Sequence, residues 1–463
     1  MTPILLIDFG STYTKVTAID LDGEMLLGTA ASYTTVETDV TEGLAKALTL
    51  LEAKTGPLVF AHRYACSSAA GGLRMMASGL VPELTAQAAR QASLGAGAKV
   101  LKTYAFQLTE DDAEEISASK PDIFLLVGGT DGGNTECILH NAQVLADIGG
   151  EFPIVIAGNR TASRQCQRIL SDREVHLREN VMPKFGVLNI EPAQKAIREV
   201  FLRRIVKAKG LSKTDSLLSG ILMPTPSAVM RAMELLACGC EEESGIGDLL
   251  AVDVGGATTD VYSVSEGAPT QVNTVCKGLP EPFVKRTVEG DIGMRYSVRG
   301  ILDAAGPGKL SRISGLPIPR VQTLVQFLRE HTDTLPNGNP ELEALDRALA
   351  SCAIEAAVTR HAGTMEEAYT LMGLTYVQTG KDLTQVSNLV VTGGSLIHTE
   401  QTSKIASYAL YDPAQPMSLR PKQARVLVDR QYILSAMGLL AASHPACALR
   451  IMKKEITVDG DPK

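Results

Sequence analysis

The chain opens with short apolar bursts separated by turn residues, a pattern that fits strands better than helices. Ile4-Leu5-Leu6-Ile7, then residues 15–20 and 24–30, read as three successive strands, the second turn falling at Asp20-Leu21-Asp22-Gly23. The period then changes. Leu44, Leu48 and Leu51 recur at helical spacing, so Thr41 to Lys54 reads as an amphipathic helix with Thr41 or Asp39 as its cap. Pro57 to Ala61 reads as a short strand, and Ser67 to Gly72 as a small-residue loop that opens a helix at Leu73-Arg74-Met75-Met76. Beyond it come a helix from Leu84 to Leu94, an extended stretch from Val100 to Tyr104, and a helix from Thr109 whose acidic first turn suits the helix dipole. Ile123 to Val127, Pro153 to Ala157 and Val426 to Val428 read as buried strands. Ala162 to Leu170, Pro192 to Lys209, Ser227 to Ala237, Glu341 to His361 and Gln431 to Ala442 read as helices. Residues 210–248 read as an elaboration around one helix, with linker points at Gly210-Leu211-Ser212 and at Glu241 to Gly245. Gly306 to Pro319 reads as loop, and the polar tail from Lys453 as frayed.

Two of the strand–turn–strand units carry the same residues. Asp8-Phe9-Gly10-Ser11-Thr12-Tyr13-Thr14-Lys15-Val16 and Asp253-Val254-Gly255-Gly256-Ala257-Thr258-Thr259-Asp260-Val261 each follow an apolar run and lead into a second one. An Asp ends each incoming strand, and small Gly, Ser and Thr residues follow. Such a turn brings backbone N–H groups close to an anion and adds hydroxyl donors. Two facing turns would grip the phosphates of one nucleotide, with Asp8 and Asp253 organising a magnesium ion through its water. A second pair points the same way. Ile123 to Val127 runs into Gly128-Gly129-Thr130-Asp131-Gly132-Gly133-Asn134, and Leu389 to Thr392 into Gly393-Gly394-Ser395. Two features recurring in one order predict an internal duplication of an α/β unit.

Composition narrows the field. Apolar residues make up 45% and charged residues 21%, enough for a sizeable core, while aromatics are only 4% and Trp is absent. The net charge of −8 argues against a nucleic-acid or anionic-membrane surface. No run approaches the roughly 18 apolar residues of a membrane helix, and the scattered Cys form no CxxC pair, so a reducing cytoplasm is expected. Cys238-Gly239-Cys240 lacks further ligands nearby.

The paired turns resemble the two phosphate motifs of the actin, Hsp70 and sugar-kinase superfamily, and Val390 to Leu396 resembles its adenosine motif. The resemblance implies a two-lobed actin-like ATPase fold, α/β, built from duplicated ribonuclease H-like units with the nucleotide between lobes. Residues 1–245 would form the first lobe, elaborated over about 135–245, and 246–463 the second, with a C-terminal helix returning to the first. The implied catalytic residues are Asp8 and Asp253, which also bind the metal through water. Gly10, Ser11, Thr12, Tyr13, Lys15, Gly255, Gly256, Ala257, Thr258, Thr259, Gly393, Gly394 and Ser395 would bind the nucleotide. A narrower resemblance rests on Ala65 to Arg74, Val127 to Asn134, Met223-Pro224-Thr225-Pro226-Ser227-Ala228-Val229 and Glu289 to Arg295. These segments are similar to those of the methylaspartate (glutamate) mutase accessory proteins. That implies an ATP-dependent reactivating chaperone, using ATP and Mg2+ and holding no cobalamin itself. Its partner would be an adenosylcobalamin-dependent glutamate mutase or a related aminomutase, with no nucleic acid or membrane partner. The alternative within the superfamily is a small-molecule kinase, for which Asp131 is the candidate base.

Overall fold

The computed structural model describes residues 1–10, 13–33, 40–68, 73–208, 221–371 and 373–459. The expected phosphate donors Ser11 and Thr12, the cap Asp39, the end of the small-residue loop at 69–72 and the linker at Gly210 to Ser212 lie outside them.

Two five-strand arrangements carry the fold, and they have the same order. In the first, β1 (Pro3–Phe9), β2 (Tyr13–Asp20), β3 (Met25–Tyr33), β4 (His62–Ser67) and β10 (Ile221–Pro224) lie as β10-β4-β1-β2-β3. In the second, β11 (Leu249–Val254), β12 (Thr259–Val264), β14 (Val284–Glu289), β17 (Asn388–Thr392) and β18 (Arg425–Val428) lie as β14-β12-β11-β17-β18, extended by β19 (Thr457–Val458). The directions also match. β1 pairs antiparallel with β2 and parallel with β4, as β11 pairs antiparallel with β12 and parallel with β17. This duplicated, mixed-sheet α/β architecture is the actin and sugar-kinase fold that the phosphate turns implied.

Alternation along β1 and β11 sets the layers. Leu5, Ile7 and Phe9 face one core with the Val40–Thr55 helix, and Leu250, Val252 and Val254 face another with the Pro340–His361 helix. Ile4 and Leu6 join Leu249 and Ala251 in a third core between the sheets, which holds the Thr225–Cys238, Leu434–Leu440 and Pro445–Glu455 helices. Two of these helices cross so closely that a Cβ on Gly438 would stand 1.8 Å from the Ala228 carbonyl oxygen.

Between β4 and β10 the chain makes a separate parallel sheet. β5 (Leu73–Gly79), β6 (Ala98–Ala105), β7 (Ile123–Leu126), β8 (Ile154–Ile156) and β9 (Val175–Leu177) lie as β6-β5-β7-β8-β9, all parallel. Three expectations change here. Leu73 to Met76 is strand rather than helix. β5 is central and buried on both faces, so its apolar run has no period of two to read. The strand expected at Pro57 to Ala61 falls one step later, as β4; Val59 is 90% exposed. Lastly, the Gly128 loop is no counterpart of the Gly393 loop, because β7 belongs to the inserted sheet. By strand order, β17 corresponds to β4, so Ser68, the residue that follows β4, stands where Gly393 stands after β17.

The second half holds further surprises. Gly306 to Pro319 is mostly helical, in the segments Val298–Ala305, Pro307–Ser314 and Ile318–Glu330. Gly306 and Gly315, at φ of 77° and 76°, end helices, and Pro307 starts one, so apparent loop residues act as caps. A small sheet of β13 (Thr274–Lys277), β15 (Thr364–Thr370) and β16 (Gly373–Thr379) was not foreseen. The tail is tied down through residue 459: β19 pairs with β18, and Asp459 accepts hydrogen bonds from Ser403 and Arg430. No described helix is long and apolar enough to cross a membrane.

Candidate functional site

Asp8 and Asp253 extend the inward-facing rows of β1 and β11, so both carboxylates point toward the helical layer between the sheets. Each is followed by a four-residue hairpin turn closed by the same bond: Gly10 N donates to Tyr13 O at 3.1 Å and Gly255 N to Thr258 O at 2.9 Å. A Cβ on Gly10 would meet Tyr13 O at 2.5 Å, and one on Gly255 would meet Thr258 O at 2.9 Å, which is why the turns need glycine there. The second turn is braced from behind. Met294 N donates to Gly255 O, and Arg295 N and Tyr296 N to Gly256 O. Gly293 packs against the backbone of Ala257, where a Cβ would come within 2.4 Å.

The two carboxylates are held differently. Asp8 is buried, and both its oxygens accept hydroxyls, Thr225 Oγ1 at 2.6 Å and Ser435 Oγ at 3.0 Å. Those hydroxyls stand in the first turns of two helices, whose positive ends face the carboxylate. Asp253 accepts one long bond, from Tyr432 Oη at 3.3 Å. Burial pushes its carboxyl up to about 6; Lys15 opposes the rise, and Asp260 and Asp429 add to it. Lys15 is paired with Asp8 across the strands, and its Nζ lies 3.3 Å from the centre of the Tyr432 ring. Lys15 of the first turn and Asp253 of the second thus meet on one phenol. Tyr432 itself is held at φ +57° in the turn that Asp429 organises by accepting the N–H groups of Ile433 and Leu434. Burial raises the Asp429 carboxyl also.

The adenosine-type loop stands beside β11. Gly393 has φ +107°, and a Cβ on it would lie 2.3 Å from Val254 O. Its glycine is therefore required by the neighbouring strand. Gly394 has open space where a side chain would project, and Ser395 Oγ is buried without a partner.

The expected residues sort accordingly. Asp8, Gly10, Lys15, Asp253, Gly255, Gly256, Ala257 and Thr258 gather on the two turns. Thr259 departs from expectation: it is fully buried, and its hydroxyl donates to Ile292 O at 3.0 Å, away from the turn. Tyr13 lies at the rim, its ring edge-on to Tyr33, whose hydroxyl is 3.5 Å from that of Tyr296. Tyr432, Thr225, Ser435 and Asp429 were missed by the sequence reading. Thr225 sits in the Met223 to Val229 segment, but nothing in the sequence tied it or the other three to the turns, and only the fold brings them there. Outside the site, Asp131 Oδ1 accepts from Arg160 N and Asn180 Nδ2, which makes it a loop brace. Arg74 pairs with Asp122, and Arg295 makes two bonds to Asp346.

Among the described residues no three His, Cys, Asp or Glu come together to hold a metal ion directly. The arrangement fits a hydrated magnesium carried in with a nucleotide. Asp253 is under-supplied with donors, Ser395 offers an unused hydroxyl, and Gly394 leaves room for a ligand.

Comparison with known proteins gives the family. Acetone carboxylase in its nucleotide-free structure aligns over 95% of this chain and 70% of its own, at 12% identity and a TM-score of 0.40. Gluconate kinase from Lactobacillus acidophilus aligns over 99% and 92%, at 10% identity and a TM-score of 0.36. These superpositions are loose, and the strand order carries the fold assignment. Sequence is more decisive. Protein MutL of Clostridium tetanomorphum is 48% identical over 458 residues, which is 98% of this chain and 99% of that protein. The family model described as MutL protein matches residues 4–456, and the chain belongs to that family.

Proposed function

We propose that this protein is an ATP-driven reactivating chaperone for an adenosylcobalamin-dependent glutamate (methylaspartate) mutase, acting in the cytoplasm. The observation that carries the nucleotide half of this reading is the meeting of the two phosphate turns on Tyr432, with Lys15 on its ring and Asp253 on its hydroxyl. Residues 1–245 and 246–463 act as two lobes, and Mg-ATP enters between them. Gly10, Lys15 and Gly255 to Thr258 face the phosphates. Gly394 and Ser395 face the adenosine. Asp8 and Asp253 hold magnesium through water, and one of them orients the attacking water. In phosphoryl transfer such positioning does most of the work.

Family membership supports the client half, through the resemblance of Ala65 to Arg74 and Met223 to Val229 to mutase accessory proteins. Damaged cobalamin would be released when lobe movement loosens the mutase's grip. ATP can drive that movement only by binding one lobe arrangement better than another. The small-molecule kinase reading has less support, since Asp131, its candidate base, already accepts the N–H of Arg160 at a helix start and the Asn180 amide through one oxygen.

The test is a reactivation assay. Glutamate mutase inactivated with hydroxocobalamin is mixed with this protein, Mg-ATP and fresh adenosylcobalamin. Activity should return, and it should fail without ATP or with Asp8→Ala. Absence of rescue by a protein that hydrolyses ATP would remove the client and leave the ATPase.

A further inference from the structure

The corner between the Gln87–Gly95 helix and β6 collects side-chain donors from three elements. Arg286 on β14 donates through Nη1 to Ala98 O at 3.0 Å and to Leu94 O at 3.4 Å. Ser227 Oγ, on the Thr225–Cys238 helix, donates to Ala96 O at 3.2 Å. Arg198 Nη1, on the Glu191–Ala208 helix, donates to Gly95 O at 3.4 Å. Gly97 turns the corner at φ +93°, where a Cβ would stand 3.1 Å from Ser227 Oγ.

Two of these donors lead back to the phosphate turns. Thr225, two residues before Ser227, holds Asp8. Arg286 holds Asp260 through Nε at 2.8 Å and Nη2 at 2.6 Å, and Asp260 Oδ2 accepts Thr258 Oγ1 at 3.2 Å. Asp260 stands opposite Asp253 in the β11–β12 ladder, and Arg286 opposite Tyr262 in the β12–β14 ladder. Arg286 is only 5% exposed. An ion pair this deep is a poor way merely to hold strands together, because desolvation offsets its attraction and apolar residues would pack as well. Its distinguishing property is geometric. A planar guanidinium fixes the direction of every bond it makes.

We infer that Arg286 is a positioning residue that transmits the state of the second phosphate turn to the inserted parallel sheet, through the carbonyls of Leu94 and Ala98. The inference rests on the nucleotide reading above. A phosphate that takes the Thr258 hydroxyl removes a donor from Asp260. Asp260 then turns toward Arg286, and the guanidinium carries the corner and β6 with it. The inserted sheet is thereby informed of nucleotide at the second turn, while Ser227 ties the same corner to the helix that holds Asp8.

Hydrogen exchange on the full chain tests this, with and without saturating Mg-ATP, for wild type, Arg286→Gln and Arg286→Lys. Calorimetry fixes nucleotide occupancy separately. In wild type, peptides over residues 94–105 should change protection when Mg-ATP binds. Arg286→Gln should still bind Mg-ATP and still respond around β11 and β12, but lose the response at 94–105. Arg286→Lys keeps a charge on Asp260 without the fork and should recover part of it. An equal response at 94–105 in wild type and Arg286→Gln overturns the inference and leaves the nucleotide reading intact. So does a wild type that binds Mg-ATP without any response there. A wild type that does not bind Mg-ATP overturns both. If Arg286→Gln does not fold, Arg286→Lys decides alone, and an undiminished response in it overturns the inference.

Discussion

Across the strand from Asp8 stands Lys15, and across from Asp253 stands Asp260. The strand registers of the two hairpins match, as does the bond that closes each turn, yet one carries a cation where the other carries an anion. The first Asp is saturated by two hydroxyls, and the second is left with one long phenol bond. Duplication therefore fixed a shape, and side chains divided the labour within it. On the proposed reading the first hairpin would present the Lys15 charge to phosphates. The second leaves Asp253 with that single bond, while its neighbour Asp260 pairs with Arg286; the proposed hydrated cation would be shared by Asp253.

Removing either carboxylate breaks this division most severely. Asp8→Ala and Asp253→Ala should each lower Mg-dependent ATP hydrolysis by roughly 100-fold, the scale of losing one preorganised group at developing charge. Phosphate release measures it, and a variant close to wild type would take that carboxylate out of the site.

Acidity should separate the hairpins next. The Asp253 carboxyl is raised to about 6, chiefly by burial. A raised carboxyl is stabilising when protonated, so its contribution to folding is full below the ordinary carboxylate range and is lost as pH rises through 6. Magnesium needs the opposite form. Mg-ATP affinity should therefore fall about tenfold per pH unit below 6, as one competing proton requires. Asp253→Asn should flatten that slope in calorimetry, whereas a slope that survives it belongs to another group.

The adenosine loop sharpens the contrast further. Gly394→Val fills open space and should weaken ATP by about tenfold with the fold intact by circular dichroism. Gly393→Val drives a side chain into Val254 and should lower the melting temperature, since its φ of +107° also excludes β-branched residues. If the two variants behave alike, the ligand does not lie over Gly394.

The smallest effect is expected from Tyr432→Phe. It keeps the ring under Lys15 and removes only the 3.3 Å bond to Asp253, so ATP affinity should change by about fivefold, near 1 kcal/mol. A loss as large as that of Asp253→Ala would mean that the phenol, not the carboxylate, is the principal ligand of the second turn.

Much of this was readable in the chain. The paired Asp–Gly turns, their flanking strands and the Gly393 loop announced the duplicated fold, because tight turns against a ligand or a strand tolerate few residue types. The inserted sheet was read less well. Its inner strands are buried on both faces, so Leu73 to Met76 showed no alternation, and the Gly-Gly after β7 imitated the adenosine loop without sharing its place. Helix caps at Gly306 and Gly315 passed for loop. The site's missing members were of a different kind. Thr225 and Ser435 reach Asp8 across 217 and 427 positions of chain, Tyr432 reaches Asp253 across 179, and Asp429 only shapes the turn that carries Tyr432. Thr259 was misplaced because alternation turns it inward, one step from Thr258, which stays on the turn.

The crossing of the Thr225–Cys238 and Leu434–Leu440 helices has a mechanical meaning. At Gly438 and Ala228 the backbones leave no room for a methyl group, so one helix cannot slide over the other without collision. Rotation about the crossing is the motion such a contact would still permit, so in the proposed lobe movement it would serve as a fulcrum. Points near the axis travel little and points far from it travel far. In that proposed movement Asp8, gripped by a hydroxyl from the start of each helix, would read the angle of the scissors, and the outer rims of the two sheets would be the blades.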